Sequence, residues 1–251
     1  MKTFPIDCLV LTATIDPRGC PGTTRTDPQT RLEDYCRAIA GWADQLAGTG
    51  TVVVIAENSG ADATRLMDVL RYYWGNGELC ALVQYQEPIE LTHDGKSSGE
   101  ARLIEHALVR AHEYFDADFS FVKSTGRLYV KQFSSCLPSS LGQFTGQVRP
   151  DMSAVDSRVF LSTWNTYQRY MWDIADEVCE SDDLYFEMVL ARRLHRVLSN
   201  GALRFTPFRT IPRIVGVSGS SGQPYSSVGP QFRRSFDDLV RRIFIRRQIL
   251  L

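Results

Sequence analysis

Lys123-Ser124-Thr125-Gly126-Arg127 puts two cations, two hydroxyls and a glycine into five consecutive residues. They follow an alternating apolar run, Phe119 to Val122, and a second strand-like run, Leu128 to Phe133, comes straight after them. The five residues therefore stand where a buried strand emerges. In an open α/β sheet, that carboxyl edge is where ligands bind. An ammonium and a guanidinium fixed there can neutralise a departing diphosphate without a metal ion. The same residues also fit the solvated end of a hairpin.

Two further clusters fall at comparable positions. Glu57-Asn58-Ser59-Gly60 closes the apolar run TVVVIA, where a carboxylate and an amide can read ribose hydroxyls or a base edge. Asn58 or Ser59 can equally cap the next helix. Lys96-Ser97-Ser98-Gly99-Glu100 leads into a helix, and a helix N-terminus with a lysine, hydroxyls and a glycine can hold an anion. Its glycine spacing matches no Walker A loop. Thr12, Thr14 and Asp16 follow the first strand and are expected to face a nucleobase.

A transfer reaction also needs a carboxylate to take a proton from the attacking hydroxyl. Glu187 is the first candidate and Asp183 the second, four residues apart and expected on one helix face. Asp182 and Asp183 also suit a helix's first turn as favourable charges. Asp156 begins another short strand, Asp156-Ser157-Arg158. Asp116-Ala117-Asp118 has the form of a metal-holding Asp-x-Asp but precedes its apolar run, so it belongs to the opposite edge and reads as a polar turn. No divalent metal or other cofactor is expected. His93, His106, His112 and His195 do not cluster and carry no assigned role.

Composition narrows the classes. The chain has 251 residues, 43% hydrophobic and 23% charged, which suits one large α/β domain with a sizeable core. A net charge of −1 gives no case for bulk nucleic-acid binding. The six cysteines show no CxxC spacing, which argues against zinc and redox motifs and for a reducing, cytoplasmic setting. Cys8 and Cys36 read as small hydrophobes. The N-terminus lacks the pattern of a signal peptide, and no apolar run approaches the roughly 18–20 residues of a membrane span. The absence of GxSxG and GxGxxG speaks against a serine hydrolase and a dinucleotide oxidoreductase.

The elements that must position these residues read as strand, helix, strand, helix, strand, the pattern of a parallel sheet. Strands are expected at 6–12, 51–56, 81–85, 119–123 and 158–163. Helices are expected from Asp27-Pro28 to about 46, at 62–74, 99–114, 165–179 and 182–198. The first buries a stripe of Leu32, Tyr35, Cys36, Ile39, Trp42, Ala43 and Leu46. Residues 203–208 and 212–217 predict a small appended sheet. Residues 218–230, rich in Gly, Ser and Pro, predict a flexible loop or lid. The tail 231–251 carries six arginines interleaved with apolar residues. It predicts an amphipathic helix that lies on an anionic membrane surface, docks on the domain or joins two copies.

The ordered set of motifs resembles a group of GT-A-like polysaccharide and lipopolysaccharide glycosyltransferases. Glu57-Asn58-Ser59-Gly60 is similar to their ENSG, Gly99-Glu100 to the glycine-glutamate of KGxGE, and Lys123–Arg127 to K-x-TGR. Asp156-Ser157-Arg158 resembles their D-[ST]-R, and Tyr185-Phe186-Glu187 their aromatic-aromatic-glutamate. The match runs over residues 6 to 195. It departs at Lys96-Ser97-Ser98, with two serines before the glycine, and at Leu128, where an aromatic is common. The resemblance implies a GT-A-like, mostly parallel α/β fold over 1–217 and sugar transfer from a nucleotide donor in surface-glycan assembly, with no Asp-x-Asp metal site.

The resulting expectation is an inverting, metal-independent glycosyltransferase acting on a glycan or lipid-linked acceptor. Lys96, Gly99, Glu100, Lys123, Thr125, Gly126, Arg127 and Asp156 would hold the donor, with Asn58 and with Glu57 near its ribose. Two other readings remain: a magnesium-dependent sugar nucleotidyltransferase, and a non-catalytic, membrane-associated assembly subunit.

Overall fold

The computed structural model describes residues 6–18, 20, 22–75, 77–86 and 95–225. His93 and the 231–251 tail, with its expected membrane or subunit contacts, lie outside them.

A seven-stranded sheet runs in the order β3-β2-β1-β4-β7-β6-β8. Its strands are β1 (Cys8–Ala13), β2 (Val52–Glu57), β3 (Cys80–Gln84), β4 (Ser120–Thr125), β6 (Phe144–Gly146), β7 (Val159–Thr163) and β8 (Phe205–Pro207). β1 to β4 are parallel, β7 is antiparallel to both β4 and β6, and β8 runs parallel to β6. The mostly parallel α/β fold expected from the sequence is the one observed. Because β7 alone is reversed, its amino end meets the carboxyl ends of β1, β2 and β4.

β1 and β2 are buried along their whole length, as apolar runs predict for central parallel strands. Alternate residues feed two cores. Val10, Val54 and Phe121 pack with α3 (Lys96–His112), α5 (Trp164–Tyr170) and α6 (Phe186–Ser199). Leu9, Leu11, Val53, Ile55 and Val122 pack on α1 (Pro28–Leu46), α2 (Thr64–Trp74) and the short α4 (Phe133–Cys136). Phe121, Phe144, Phe160 and Tyr167 form an aromatic cluster under the reversed strand, with Phe144 and Phe160 stacked 5.3 Å apart. Truncating Phe121 to alanine there would cost about 3–5 kcal/mol.

Local chemistry sets the ends. α1 starts where the Asp27 carboxylate accepts the Thr30 N–H at 2.7 Å and Pro28 takes the first position. Its stripe includes Tyr35, Ile39, Trp42 and Leu46, while Leu32 and Cys36 are only half-buried and Arg31, Asp34, Ala38 and Gly41 are buried instead. Gly41 is required because the Tyr129 ring lies against its α-carbon, and Trp42 Nε1 donates to the Leu128 carbonyl at 2.9 Å.

Several expected elements differ. α3 begins at Lys96, ahead of the expected start at 99, and ends at His112. The helix expected over 165–179 stops at Tyr170, because Asp173 takes a left-handed φ of 57° and only a 3-10 turn, Ile174–Glu177, follows. Asp182 and Asp183 are not in α6 at all. They belong to a 3-10 turn, Glu180–Asp182, and its left-handed cap Asp183, φ 56°. The residues expected to form an appended sheet separate: β8 extends the main sheet beside β6, and β9 (Arg213–Gly216) pairs with β5 (Leu128–Lys131) as a two-stranded sheet. Among the described residues, no helix is long and apolar enough to cross a membrane.

Candidate active site

The carboxyl ends of β1, β2 and β4 and the amino end of β7 open onto one cleft in two compartments. Gly126 N–H donates to the Thr12 carbonyl at 2.9 Å, and a Cβ at Gly126 would lie 2.6 Å from that oxygen. A side chain there would push β4 off β1, which is why the sequence has glycine at this point.

The smaller compartment, about 100 Å³, lies over β1 and β2 and is lined by Thr12, Thr14, Asp16, Asn58, Lys96, Gly99 and Thr125 among others. Its polar groups are largely spent on one another. Asn58 Oδ1 accepts from Thr14 Oγ1 at 2.7 Å, and Ser59 Oγ accepts from the Asp16 N–H at 3.1 Å. Glu57 is fully buried and accepts from the N–H groups of Ile15 (3.0 Å), Ser59 (3.0 Å) and Gly60 (3.2 Å), and from the Ser59 hydroxyl. A buried carboxylate must be satisfied, and Glu57, expected near a ribose, turns its oxygens into the backbone of the first loop at Ile15 and of its own loop at Ser59 and Gly60. Arg31, not singled out in the sequence, and Tyr35, read there only as part of the apolar stripe, hold the first loop from α1. Arg31 Nε donates to the Thr14 carbonyl at 2.7 Å, and Tyr35 Oη accepts the Thr14 N–H at 2.8 Å. The signal was an arginine four residues before the stripe's tyrosine, and so on the same helix face.

Between the compartments lies a buried ion pair. Lys123 has no exposed surface, and its ammonium donates to Glu100 Oε1 (2.5 Å), the Ser157 carbonyl (2.6 Å) and Thr125 Oγ1 (3.3 Å). All three donors are used, so Lys123 does not face the cleft as its position after the apolar run led one to expect. Strand alternation turns it inward, towards α3, where Glu100 waits. Burial pushes the Glu100 carboxyl up, but the charge and hydrogen bond of Lys123, the charge of Lys96 and the Thr125 hydroxyl outweigh it and hold it below its ordinary value. Glu100 lines both compartments.

The larger compartment, about 1040 Å³, is lined by Lys96, Arg127, Asp156, Glu180, Asp183 and Glu187, among others. Glu187 lies in the first turn of α6, a favourable place for a negative charge. Its Oε1 accepts the Ser157 hydroxyl at 2.6 Å, which fixes the carboxylate on the cleft wall. Asp183 is exposed and accepts from the Tyr185 hydroxyl at 3.2 Å. Both expected carboxylates thus reach the same compartment, from different elements rather than one helix face. Asp156 is bound bidentately by Arg158, with Nε–Oδ1 2.8 Å and Nη2–Oδ2 2.5 Å. Burial lowers the Arg158 pKa, and Asp156 and Tyr225 more than restore it, so the guanidinium stays charged. Its charge sits 5.0 Å above the Tyr225 ring.

Two cations line both compartments. Lys96 Nζ donates to Ser220 Oγ at 2.5 Å, and Arg127 Nη1 donates to the Val217 carbonyl at 2.9 Å. The turn Ser218–Gly222 thus lies against the cleft, and the Gly219 carbonyl accepts from Thr24 N–H at 3.0 Å. Asp116 and Asp118 sit at the amino edge, where Asp118 Oδ1 accepts the Asn165 N–H at 2.9 Å. Among the described residues no three His, Cys, Asp or Glu side chains gather as a metal site would require.

Fold and cleft define an α/β protein with a ligand-sized site at the carboxyl edge of a mostly parallel sheet. No protein-family model matches the chain, and no curated protein matches it in sequence. Solved structures with a similar fold include the galactosyltransferase LgtC in complex with donor and acceptor sugar analogues. It is 12% identical over 74% of this chain and 70% of that one, with a TM-score of 0.48. The inositol-1-phosphate CTP transferase from T. maritima is 11% identical over 88% and 93%, TM-score 0.47. The nucleoside-diphosphate-sugar pyrophosphorylase from Vibrio cholerae RC9 is 10% identical over 80% and 91%, TM-score 0.47.

Proposed function

We propose that the chain is a nucleotide-sugar-dependent glycosyltransferase that moves a sugar to a glycan or lipid-linked acceptor with inversion. The observation that carries this reading is the pairing, on one cleft, of a held carboxylate with two cations: Glu187 fixed by Ser157, facing a space that Lys96 and Arg127 also line. Glu187 takes the proton of the acceptor hydroxyl as the oxygen bonds to the anomeric carbon. The bond from that carbon to the diphosphate breaks, and the electron pair leaves on the diphosphate oxygen. Lys96 and Arg127 stabilise that charge, in the role the sequence assigned to Lys123 and Arg127. Lys123 acts one step back, by holding Glu100 and the strand ends in place. The nucleoside lies towards Thr12, Thr14, Asp16 and Asn58. Catalysis needs no divalent metal.

A thermal-shift screen of nucleotides and nucleotide sugars, with EDTA and with magnesium or manganese, tests this. Ligand at a hundredfold excess over its Kd stabilises by about 2.7 kcal/mol. A nucleotide sugar that stabilises the protein equally in EDTA, and whose sugar is then transferred, fits the reading. Stabilisation and turnover only with magnesium would replace it with the sugar nucleotidyltransferase.

A further inference from the structure

The amino end of α3 points into the cleft, and it already holds an anion. Ser97 N–H, in the first turn, donates to Glu180 Oε1 at 2.5 Å. Glu180 comes from a distant loop, a tight turn closed by paired backbone bonds of 2.9 Å between Cys179 and Leu184. Gly95, immediately before α3, has a φ of +98°, and a Cβ there would overlap the Glu180 carboxyl. The chain therefore keeps this place clear for a carboxylate.

The surroundings suit a stronger anion. A helix N-terminus beside a lysine and an arginine is a phosphate site. Lys96 is the first residue of α3 and Arg127 shares its cleft. Each donates to a neutral oxygen of the chain, Lys96 to Ser220 Oγ and Arg127 to the Val217 carbonyl. Arg127 is only 6% exposed, yet its Nε has no hydrogen-bond partner. A buried N–H without a partner on a cation lining a cleft marks a place for an acceptor. The cluster thus holds more donor capacity than the protein itself fills, and one of its positions is occupied by a charged stand-in.

We propose that Glu180 is a resident competitor: its carboxylate occupies the phosphate position at the head of α3 and withdraws when a diphosphate arrives. This rests on the transferase reading only for the source of that diphosphate, the sugar donor. The apparent affinity of the site is its intrinsic affinity scaled by the fraction of molecules in which Glu180 has moved aside. A second negative charge cannot settle there while the first remains. A simple helix cap makes the opposite prediction, since removing a cap weakens the fold and leaves anion affinity alone.

The test is isothermal titration of the full chain with inorganic pyrophosphate, comparing wild type, Glu180→Gln and the double variant Glu180→Gln/Lys96→Ala. Glutamine keeps an oxygen for the Ser97 N–H but loses the charge. The expected result is pyrophosphate affinity about tenfold tighter in Glu180→Gln, as for a competent fraction near one tenth, with the gain lost in the double variant. Equal or weaker binding by a folded Glu180→Gln protein overturns the proposal, as does the absence of binding to both proteins. Hydrogen exchange on the wild type provides a second reading that needs no variant. Pyrophosphate should speed exchange in residues 179–184, and unchanged exchange at saturating pyrophosphate overturns the proposal. Failure to turn over any nucleotide sugar would remove the transferase reading but leave a tenfold tightening by pyrophosphate standing.

Discussion

The two compartments of the cleft are cut from the same sheet edge, yet their polar residues are used in opposite ways. Over β1 and β2, Glu57, Asn58, Ser59, Thr14 and Tyr35 bond to one another and to the first loop. Over β4 and β7, Asp183 and Glu187 line the larger space, each held by one hydroxyl. The difference is one of direction. Parallel strands deliver loops that turn back on their neighbours and shut, whereas reversed β7 delivers Asp156, Ser157 and Arg158 from below and leaves room in front of them. On one side the polar groups are spent on the chain itself, and on the other they line open space.

The comparison breaks most readily at Glu187. Glu187→Gln should lower sugar transfer by about a thousandfold, the scale of a lost general base, while nucleotide binding by thermal shift is retained. A variant with full transfer would show that the open compartment is not the reactive one. Lys123→Ala should act on stability instead. It leaves the half-buried Glu100 without its cation and a void where the fully buried lysine packed, and should cost about 3–5 kcal/mol in urea unfolding. A fully stable Lys123→Ala protein with lost turnover would return Lys123 to the donor. Glu57→Gln, which cannot satisfy all the donors the carboxylate now serves, should cost about 1–3 kcal/mol. A nucleoside-specific loss without destabilisation would reopen the ribose role.

The smallest effect contrasts two carboxylates of α3, Glu100 and Glu105. Glu100 is held below its ordinary pKa, but burial, and then the charges of Asp173 and Asp176, raise Glu105 from 4.5 to about 7 against the Asp173 N–H bond and Arg193. The folded state then binds the Glu105 proton more tightly than the unfolded chain does. Its contribution is full below about pH 4.5 and is lost as pH rises through about 7. Melting temperatures across that range should fall more steeply in wild type than in Glu105→Gln, and parallel curves would refute the shift.

The sheet and most of its helices were legible because long apolar runs and 3.6-residue stripes report burial directly. Motif positions were legible too: residues after β1, β2 and β4 and before β7 do meet at one edge. What escaped was which way each side chain turns. Lys123 sits at the expected strand end, but one step of strand alternation carries it into the interior, and no local pattern announces Glu100 as its partner. Asp183 read as helical from its spacing to Glu187, because a left-handed aspartate leaves no mark in periodicity. Glu180 could not be foreseen at α3, since 83 residues separate it from Ser97.

The pairing of β5 with β9 has a consequence for how the molecule is made. Leu128 lies opposite Gly216 and Lys131 opposite Arg213, so the strand leaving Arg127 finds its partner only after the intervening chain has been threaded. β1 reaches β4 over a still longer separation, Cys8 opposite Phe121, but all of β1 to β4 precedes Arg127, whereas the Val217 carbonyl that holds Arg127 lies downstream of it. The four parallel strands are therefore synthesised in full before the residues that tie Arg127 to the wall of the cleft exist.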